Sequence, residues 1–545
     1  MRNLVALATG LAVLTAIAAC ENGPGAPKEP PVLTVTSPAR GLIQGHAGQV
    51  TVSGQALPNA AGDALDKVLV NDVQATLAPD GSFSAVITVN EGATLIETVA
   101  SDVQGTAATD TRAVQAGQLR PVGTSIDKAI DLSMSAASFA KLSTAAGPIL
   151  KGLDMASLLA PMQPMLNVGG GSTYAQLFVD DVNFSDIQIA MSPVQGGLSF
   201  RAEIDKLDVP AHVRFAVLGL GGSDSLRVTA DRVVIAGTLA ITPAGLSGFK
   251  TRIANPNVSV TSFHFDAGGI PSTILNLLHI DSIVQTILPP AAELAMTPLV
   301  NQALGALAGP QQLDVLGHKL DLQLAPSAIA FDPSGAVLAM NLKVLLAGSE
   351  SSPGFIFTNN GSPAMTASYG FQIGLADDLL NEMFAELHAL GALNLTVPKD
   401  VGVFDAAQIH MTVPPMISAD ARNGELRIVL GDMLATFTKQ GTPVGKAAIN
   451  ARIDLQIVPV GNGNSIALQL GPPELHVDVL DDVANTTGLE PRDLAAATAA
   501  AVNAQIEAIS KLLVSIPVPA IAGLQFHNLA VGSDQGYVMV SGQLQ

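Results

Sequence analysis

Tryptophan is absent from these 545 residues, tyrosine occurs three times and cysteine once. With 17 phenylalanines as the only other aromatics, an interior must be built from aliphatic side chains. A single cysteine excludes an internal disulfide and a thiolate zinc site. Charged residues make up only 13%, and bases are the scarcer kind: 26 Lys and Arg against 46 Asp and Glu leave a net charge of −20. A phosphate backbone needs clustered Lys and Arg, so the balance argues against nucleic acid as a partner. What is plentiful is apolar, at 48%, together with 51 glycines and 34 prolines spread along the chain. At about 150 residues per domain the length suggests three or four units.

Catalytic patterns are missing too. The nine histidines stand at least fifteen residues apart, with no HExxH and no pair at helical spacing. No GxSxG elbow occurs, and Gly532-Ser533-Asp534-Gln535-Gly536 has the wrong register. Gly169-Gly170-Gly171 and Gly219-Leu220-Gly221-Gly222 lack the Gly-Lys-Ser/Thr of a phosphate loop and read as a loop and a hairpin turn. The acid pairs Asp180/Asp181, Asp377/Asp378 and Asp481/Asp482 read as solvated ends and helix caps rather than a glycosidase pair. The expectation is a protein that is not an enzyme and holds neither metal nor cofactor.

The first twenty residues carry the most specific local signal. Arg2 supplies a short basic start and Leu4 to Ile17 a fourteen-residue apolar run, too short for a permanent membrane span. It ends in Ile17-Ala18-Ala19-Cys20, which resembles the bacterial lipobox, and the chain's one cysteine falls at that cleavage point. The resemblance implies a signal peptide over 1–19, acylation at Cys20, and a membrane anchor firm enough to hold because it carries more than one acyl chain. Residues 20–31 then form a Pro-rich tether of about 3 Å per residue. The expected location is the cell envelope, with the outer membrane favoured.

Residues 32–116 hold short β-rich runs: Val32–Thr36, Gln49–Ser53, Lys67–Val70, Gln74–Leu77, Ser82–Val89 and Thr94–Ala100. Pro79-Asp80-Gly81 and Asn90-Glu91-Gly92 punctuate them as turns, so the segment reads as an all-β sandwich. Its run VLVNDVQATLAPDGSFSAVITVNEGATLIETVASDVQG resembles bacterial Ig-like repeats of the glucodextranase domain B type, a family whose modules act mostly as spacers or weak binders.

From 120 onward, long alternating stretches predict strands buried on one face: Thr173–Ile189, Leu198–Val209, Ser225–Ile241 and Ala448–Val458. Asn257–Phe265 alternates with one slip of phase. Amphipathic helices are predicted over 133–159, 270–307 (interrupted by Pro289-Pro290 and Pro298) and 375–393, with a last one opening at Pro491 and running past Leu513. In the third, Leu379, Met383, Leu387 and Leu390 share one stripe, and Asp377 and Asp378 suit the positive N-terminal end.

The order of these pieces resembles the lipid-binding TULIP superfamily, and within it the family of bactericidal/permeability-increasing protein and lipopolysaccharide-binding protein. The carrying segments are AIDLSMSAASFAKLSTAAGPILKGL, the meander QLFVDDVNFSDIQIAMSPVQGGLSFRAEIDKLDV with DSLRVTADRVVIAGTLAIT, VSVTSFHFDAGGIPSTILNLLHIDSIVQTIL, ASYGFQIGLADDLLNEMFAELHALGALNLTV, and the closing IPVPAIAGLQFHNLAVGSDQGYVMVSGQL. The resemblance implies an α+β fold of two tandem barrels, 120–345 and 346–545, each a twisted antiparallel sheet wrapped on long helices around an apolar tunnel. Two features depart from the family: no disulfide can bridge the first barrel, and the isolated cations Arg201/Lys206 and Arg227/Arg232 do not make a basic tip.

Acyl-chain binding follows from that fold. Each buried methylene is worth about 0.8 kcal/mol, so a sixteen-carbon chain resists leaving a membrane by roughly 12 kcal/mol. An aliphatic tunnel returns most of that. The candidate lining is Leu142, Ile149, Leu153, Phe184, Phe200, Phe215 and Leu304 in the first barrel, and Leu379, Met383, Leu387, Ile506 and Ile509 in the second. The expected ligand is phospholipid or another acyl lipid, which the protein binds and, as a further step, transfers. The alternative reading is a non-enzymatic surface interaction protein that binds through its Ig-like domain, with the barrels as scaffold.

Overall fold

The computed structural model describes residues 29–279, 289–290, 292–294, 296–297, 300–301, 309–315, 317–358, 361–367, 370–401, 404–419, 426–460, 465–481, 496, 498, 516–517 and 526–544. The chain divides into two compact units: 1–37 with 51–87 and 97–110, and 38–50 with 88–96 and 111–545. It is mostly β, built on curled sheets.

In the first unit Val32–Ser37 pairs antiparallel with Gly48–Leu57, and Leu65–Val70 pairs with Gly92–Asp102. Ser82–Val89 is buried at every second residue, which puts Phe83, Ala85 and Ile87 in the core. Val70 and Val73 close a two-residue hairpin over Asn71 and Asp72, both with positive φ, the residue types that tolerate it best. The buried carboxylate of Asp102 accepts from the Thr106 hydroxyl and from the backbone N–H of Gln104 and Thr106, fixing the next turn.

The second unit centres on a seven-stranded sheet. In spatial order its strands are Gly309–Val315, His318–Asp332, Gly335–Leu346, Ile126–Ser135, Phe371–Ala376, Tyr537–Leu544 and Phe526–Asp534. Ile126–Ser135 therefore lies between a strand that precedes residue 350 and one that follows it. A second sheet follows Ile126–Ser135 in sequence: Leu166–Gly170, Thr173–Val179, Asp186–Val194, Gly197–Val217, Leu220–Pro243, Phe249–Thr261 and His264–Asp266. Its core hairpin, Gly197–Val217 with Leu220–Pro243, stays paired from Leu198↔Leu239 to Val217↔Leu220. A third sheet runs from Leu395–Val401 through Leu426–Lys439 and Thr442–Val460 to Ile516–Pro517. Also within this unit, Arg40 forms ion pairs with Asp432 at 2.8 Å and Asp478 at 3.3 Å, and Asp432 accepts from the N–H of Gly41 and Ala113. Breaking so buried a pair from one side leaves an uncompensated charge.

Strands run longer than the alternation predicts, and helices shorter. The helices with described ends are α1 (Ala136–Lys151), α2 (Met155–Leu159), α3 (Ser272–Leu278) and α4 (Asp377–Ala389). The expected helix over 133–159 starts late because residues 133–135 complete a sheet strand. It is interrupted before Met155, where Asp154 caps α2 through the N–H of Ser157. The one expected over 270–307 breaks at His279, which is left-handed (φ 49°). Residues 289–290 and 292–294 are also helical. The expected strand Thr173–Ile189 is two strands, Thr173–Val179 and Asp186–Val194, separated at 180–185. The slip of phase expected within 257–265 falls at Ser262, left-handed at φ 54°, between two strands. The helix expected from Pro491 lies outside the described residues.

Candidate apolar cavity

The strands of the core hairpin turn alternate side chains to the two faces of the sheet, and the parity of that alternation changes partway along. Phe200, Ala202 and Ile204 face one side; after Lys206, left-handed at φ 54°, the same side takes Leu207 and Val209. On the paired strand the buried positions Leu226, Val228 and Ala230 give way to Val233 and Ile235 beyond Asp231. Lys206 and Asp231 form an exposed ion pair at 2.6 Å at this kink, on the outside of the bend. The kink lets one long hairpin wrap an interior without turning polar side chains into it.

That interior is a cavity. Val179, Ile187, Ile189, Phe200, Ala202, Ile204, Leu207, Val209 and Ile235 line it from four strands, Val182 and Phe184 from the 180–185 connection, and Leu150, Met155, Leu159, Ala292 and Met296 from helical residues. All sixteen are apolar. The volume of the cavity is about 90 Å³. Ligand pockets commonly measure about 300–1,000 Å³, so a ligand of ordinary size would fit here only by parting side chains. Met155 and Met296 suit that, since the unbranched thioether side chain repacks at little cost. A second hollow, roomier at about 470 Å³, lies among Met162, Thr251, Ile253, Pro256, Pro289, Pro290, Glu293, Leu294 and Thr297. It is more polar: Glu293 accepts from the N–H of Ile253 at 3.1 Å, and the hydroxyls of Thr251 and Thr297 meet at 2.5 Å.

Of the candidate lining residues, Phe184 and Phe200 border the cavity. Leu142 is buried in the same hydrophobic cluster, and Leu153 and Phe215 pack against it, without lining the space. Leu387 is buried in that cluster, with Leu379 and Met383 against it. Leu304, Ile506, Ile509 and Cys20 lie outside the described residues, as does the side chain of Ile149. The alternation of Asp186–Val194 and Gly197–Val217 contained the signal for Ile187, Ile189, Ala202 and Ile204; Met155 and Leu159 had none beyond being apolar.

Three exposed arginines of the sheet are paired. Arg201 meets Glu203, Arg232 meets Asp205, and Arg227 holds Asp208 with two bonds of 2.7 Å. The Arg227 guanidinium keeps the Asp208 carboxyl below its ordinary range. Such exposed pairs contribute little stability, but each neutralises a positive charge that a phosphate group would seek.

Helix α4 departs from the sequence expectation. Asp377 and Asp378 are buried rather than solvated. Asp378 accepts from the N–H and hydroxyl of Thr358, and Asp377 from the N–H of Ala419 at 2.9 Å. Asp378, Glu382 and Glu386 recur every fourth residue and so share one face. Glu382 is 0% exposed and Glu386 1%. Glu382 accepts from the N–H of Gly123 at 2.8 Å, while Oε2 of each glutamate has no hydrogen-bond partner among the described residues. Burial pushes Glu382 up to about 8, Glu386 to about 7 and Asp378 to about 6. Among the described residues no cluster of three or more His, Cys, Asp or Glu has metal-binding geometry, and no helix is long and apolar enough to cross a membrane.

Residues 31–118 match the family model described as glucodextranase, domain B. No curated protein matches. Among solved structures the chain is similar to a lipopolysaccharide binding protein at 14% identity, covering 77% of this chain and 99% of that one, with a TM-score of 0.36. It is also similar to P47 of Clostridium botulinum E1, at 8% identity over 76% and 98% of the two chains, with a TM-score of 0.27. Superpositions this loose assign nothing to the present chain.

Proposed function

We propose that this chain is a non-enzymatic bacterial lipoprotein, anchored through acylated Cys20, that binds lipid acyl chains in the apolar cavity. One observation carries the reading: sixteen lining side chains from strands, connection and helical residues, none of them polar. A polar ligand placed there would lose its hydrogen bonds to water and find none in return, a cost of about 2–7 kcal/mol per group. A hydrocarbon chain loses nothing. The frame is two tandem barrels, 120–345 and 346–545, and the central sheet's placement of Ile126–Ser135 between strands from both halves supports it. The residues 20–31 tether the molecule to the envelope, outer membrane by preference, and the Ig-like domain is a spacer. The ligand is phospholipid or another acyl lipid, transferred where two membranes come within reach.

A fluorescent fatty acid titrated into the delipidated full chain tests this. The account expects saturable binding that Ile204→Glu abolishes, with no turnover of ester or glycoside substrates. Unchanged binding by that variant would remove the cavity from the account. The domain B match favours a second reading, in which the Ig-like domain binds a surface partner. Retention of all partner binding by residues 32–116 alone would select it.

A further inference from the structure

The core hairpin ends in a turn that breaks two local rules at once. Val217 and Leu220 are the last paired residues, so Leu218 and Gly219 form a two-residue turn, with φ of 51° and 85°. Such turns favour Asn-Gly because both central residues are left-handed, and a leucine held there is strained. The strain is not compensated by packing. Leu218 is 83% exposed and Leu220 81%, the two highest exposures among the large hydrophobic side chains described. A strained backbone presenting unburied leucines is an outlier that points toward function.

The surroundings say what kind of partner fits. The N–H of Gly219 donates to the carbonyl of Ser172 at 2.8 Å, which ties the apex to the neighbouring Gly171-Ser172 turn. No Asp, Glu, Lys or Arg occurs from 215 to 223, or from 155 to 179. Arg214, the nearest cation in sequence, lies over the Phe178 ring at 4.7 Å from its centroid. The two turns that form the apex are thus apolar and carry no charge of their own. A flat hydrocarbon interface accepts such a surface, whereas an anionic surface acting through charge would need free cations.

We propose that the Leu218-Gly219-Leu220 apex inserts into the outer layer of a lipid bilayer, making a second, reversible membrane contact distinct from the N-terminal anchor. Its partner is the hydrocarbon boundary of a membrane, not a headgroup charge. The contact does not require the cavity to hold lipid, because neither leucine lines it.

The chain's lack of tryptophan supplies the test. Leu220→Trp introduces a single indole reporter, and Val103→Trp, at another exposed site in the first unit, is the control. Both are made in the full chain with Cys20→Ser, so that no acyl anchor contributes. On adding phosphatidylcholine vesicles, the first reporter is expected to shift to the blue and be quenched by brominated acyl chains, and the control to stay unchanged. Leu218→Ser with Leu220→Ser should lower vesicle partition at least tenfold, at low and high salt alike. No shift at Leu220→Trp, equal shifts at both sites, or a shift that follows protein concentration without vesicles (a second copy as the partner) would each overturn the proposal. Fatty-acid titration of the same proteins reads the cavity separately, so loss of one function does not mimic loss of the other.

Discussion

Helices α1 and α4 begin alike and end up in opposite environments. Each follows directly on a strand of the central sheet, Ile126–Ser135 and Phe371–Ala376, and those two strands pair with one another. Charges on α1 are two lysines, Lys141 and Lys151. Its buried face is Phe139, Leu142, Ala146 and Leu150, interrupted only by Ser138 and Ser143, which make hydrogen bonds. Helix α4 carries four acids and buries all of them. The hollow sits beside the helix whose buried face has no charge; the helix with charge is fixed by it, through Gly123, Thr358 and Ala419. A helix can be anchored by apolar fit, leaving space that deforms, or by buried carboxylates, which tolerate little movement.

The sharpest way to break that contrast is to give α1 what α4 has. Leu150→Glu places a carboxylate against the cavity with no donor near it, and is expected to cost about 3–5 kcal/mol, read as a fall in urea midpoint at pH 8. A fall under about 1 kcal/mol would mean the cavity is wet.

The acids of α4 give the next effect. Carboxyls raised to about 8 and about 7 bind protons in the folded state that the unfolded chain releases near its ordinary value. Their stabilising contribution is complete below about pH 4.5 and is lost as pH rises through 7 and 8. Glu386 and Lys343 are the charged groups acting on Glu382, in opposite directions. Thermal stability should therefore fall between pH 5 and 9. Glu382→Gln with Glu386→Gln should flatten that slope and raise stability at pH 9 by a few kcal/mol, because each tenfold change in proton affinity is worth about 1.4 kcal/mol. An unchanged slope would mean that these groups titrate normally.

Ala202→Phe is the mildest change. It fills space instead of charging it, so the stability cost is expected to be about 1–3 kcal/mol, while fatty-acid affinity drops about tenfold. Equal affinity would put the ligand elsewhere.

Much of this was legible in the residues. Alternation in Gly197–Val217 and Leu220–Pro243 marks both strands, and the glycines at 169–171 and 219 mark turns between strands. Alternation alone does not reveal a change of parity. The switch at Lys206 and Asp231 is a backbone event, made visible only by pairing. Phe200, before the switch, borders the cavity as its alternation suggests, while Leu207 and Val209, beyond it, are placed there only by the change of parity. Asp377 and Asp378 looked like helix caps because sequence shows the helix end and not the Thr358 and Ala419 groups that meet them. Nor does a stripe of leucines distinguish a tunnel wall from an ordinary core: Leu142 and Phe200 look alike, and one borders the hollow.

The most direct measurement is mass spectrometry of the organic extract of the purified full chain, beside that of Ala202→Phe. The account predicts acyl lipid near one or more equivalents per chain in the first and a marked depletion in the second. Extracts free of lipid from a folded protein, or the same amount in both, would contradict it.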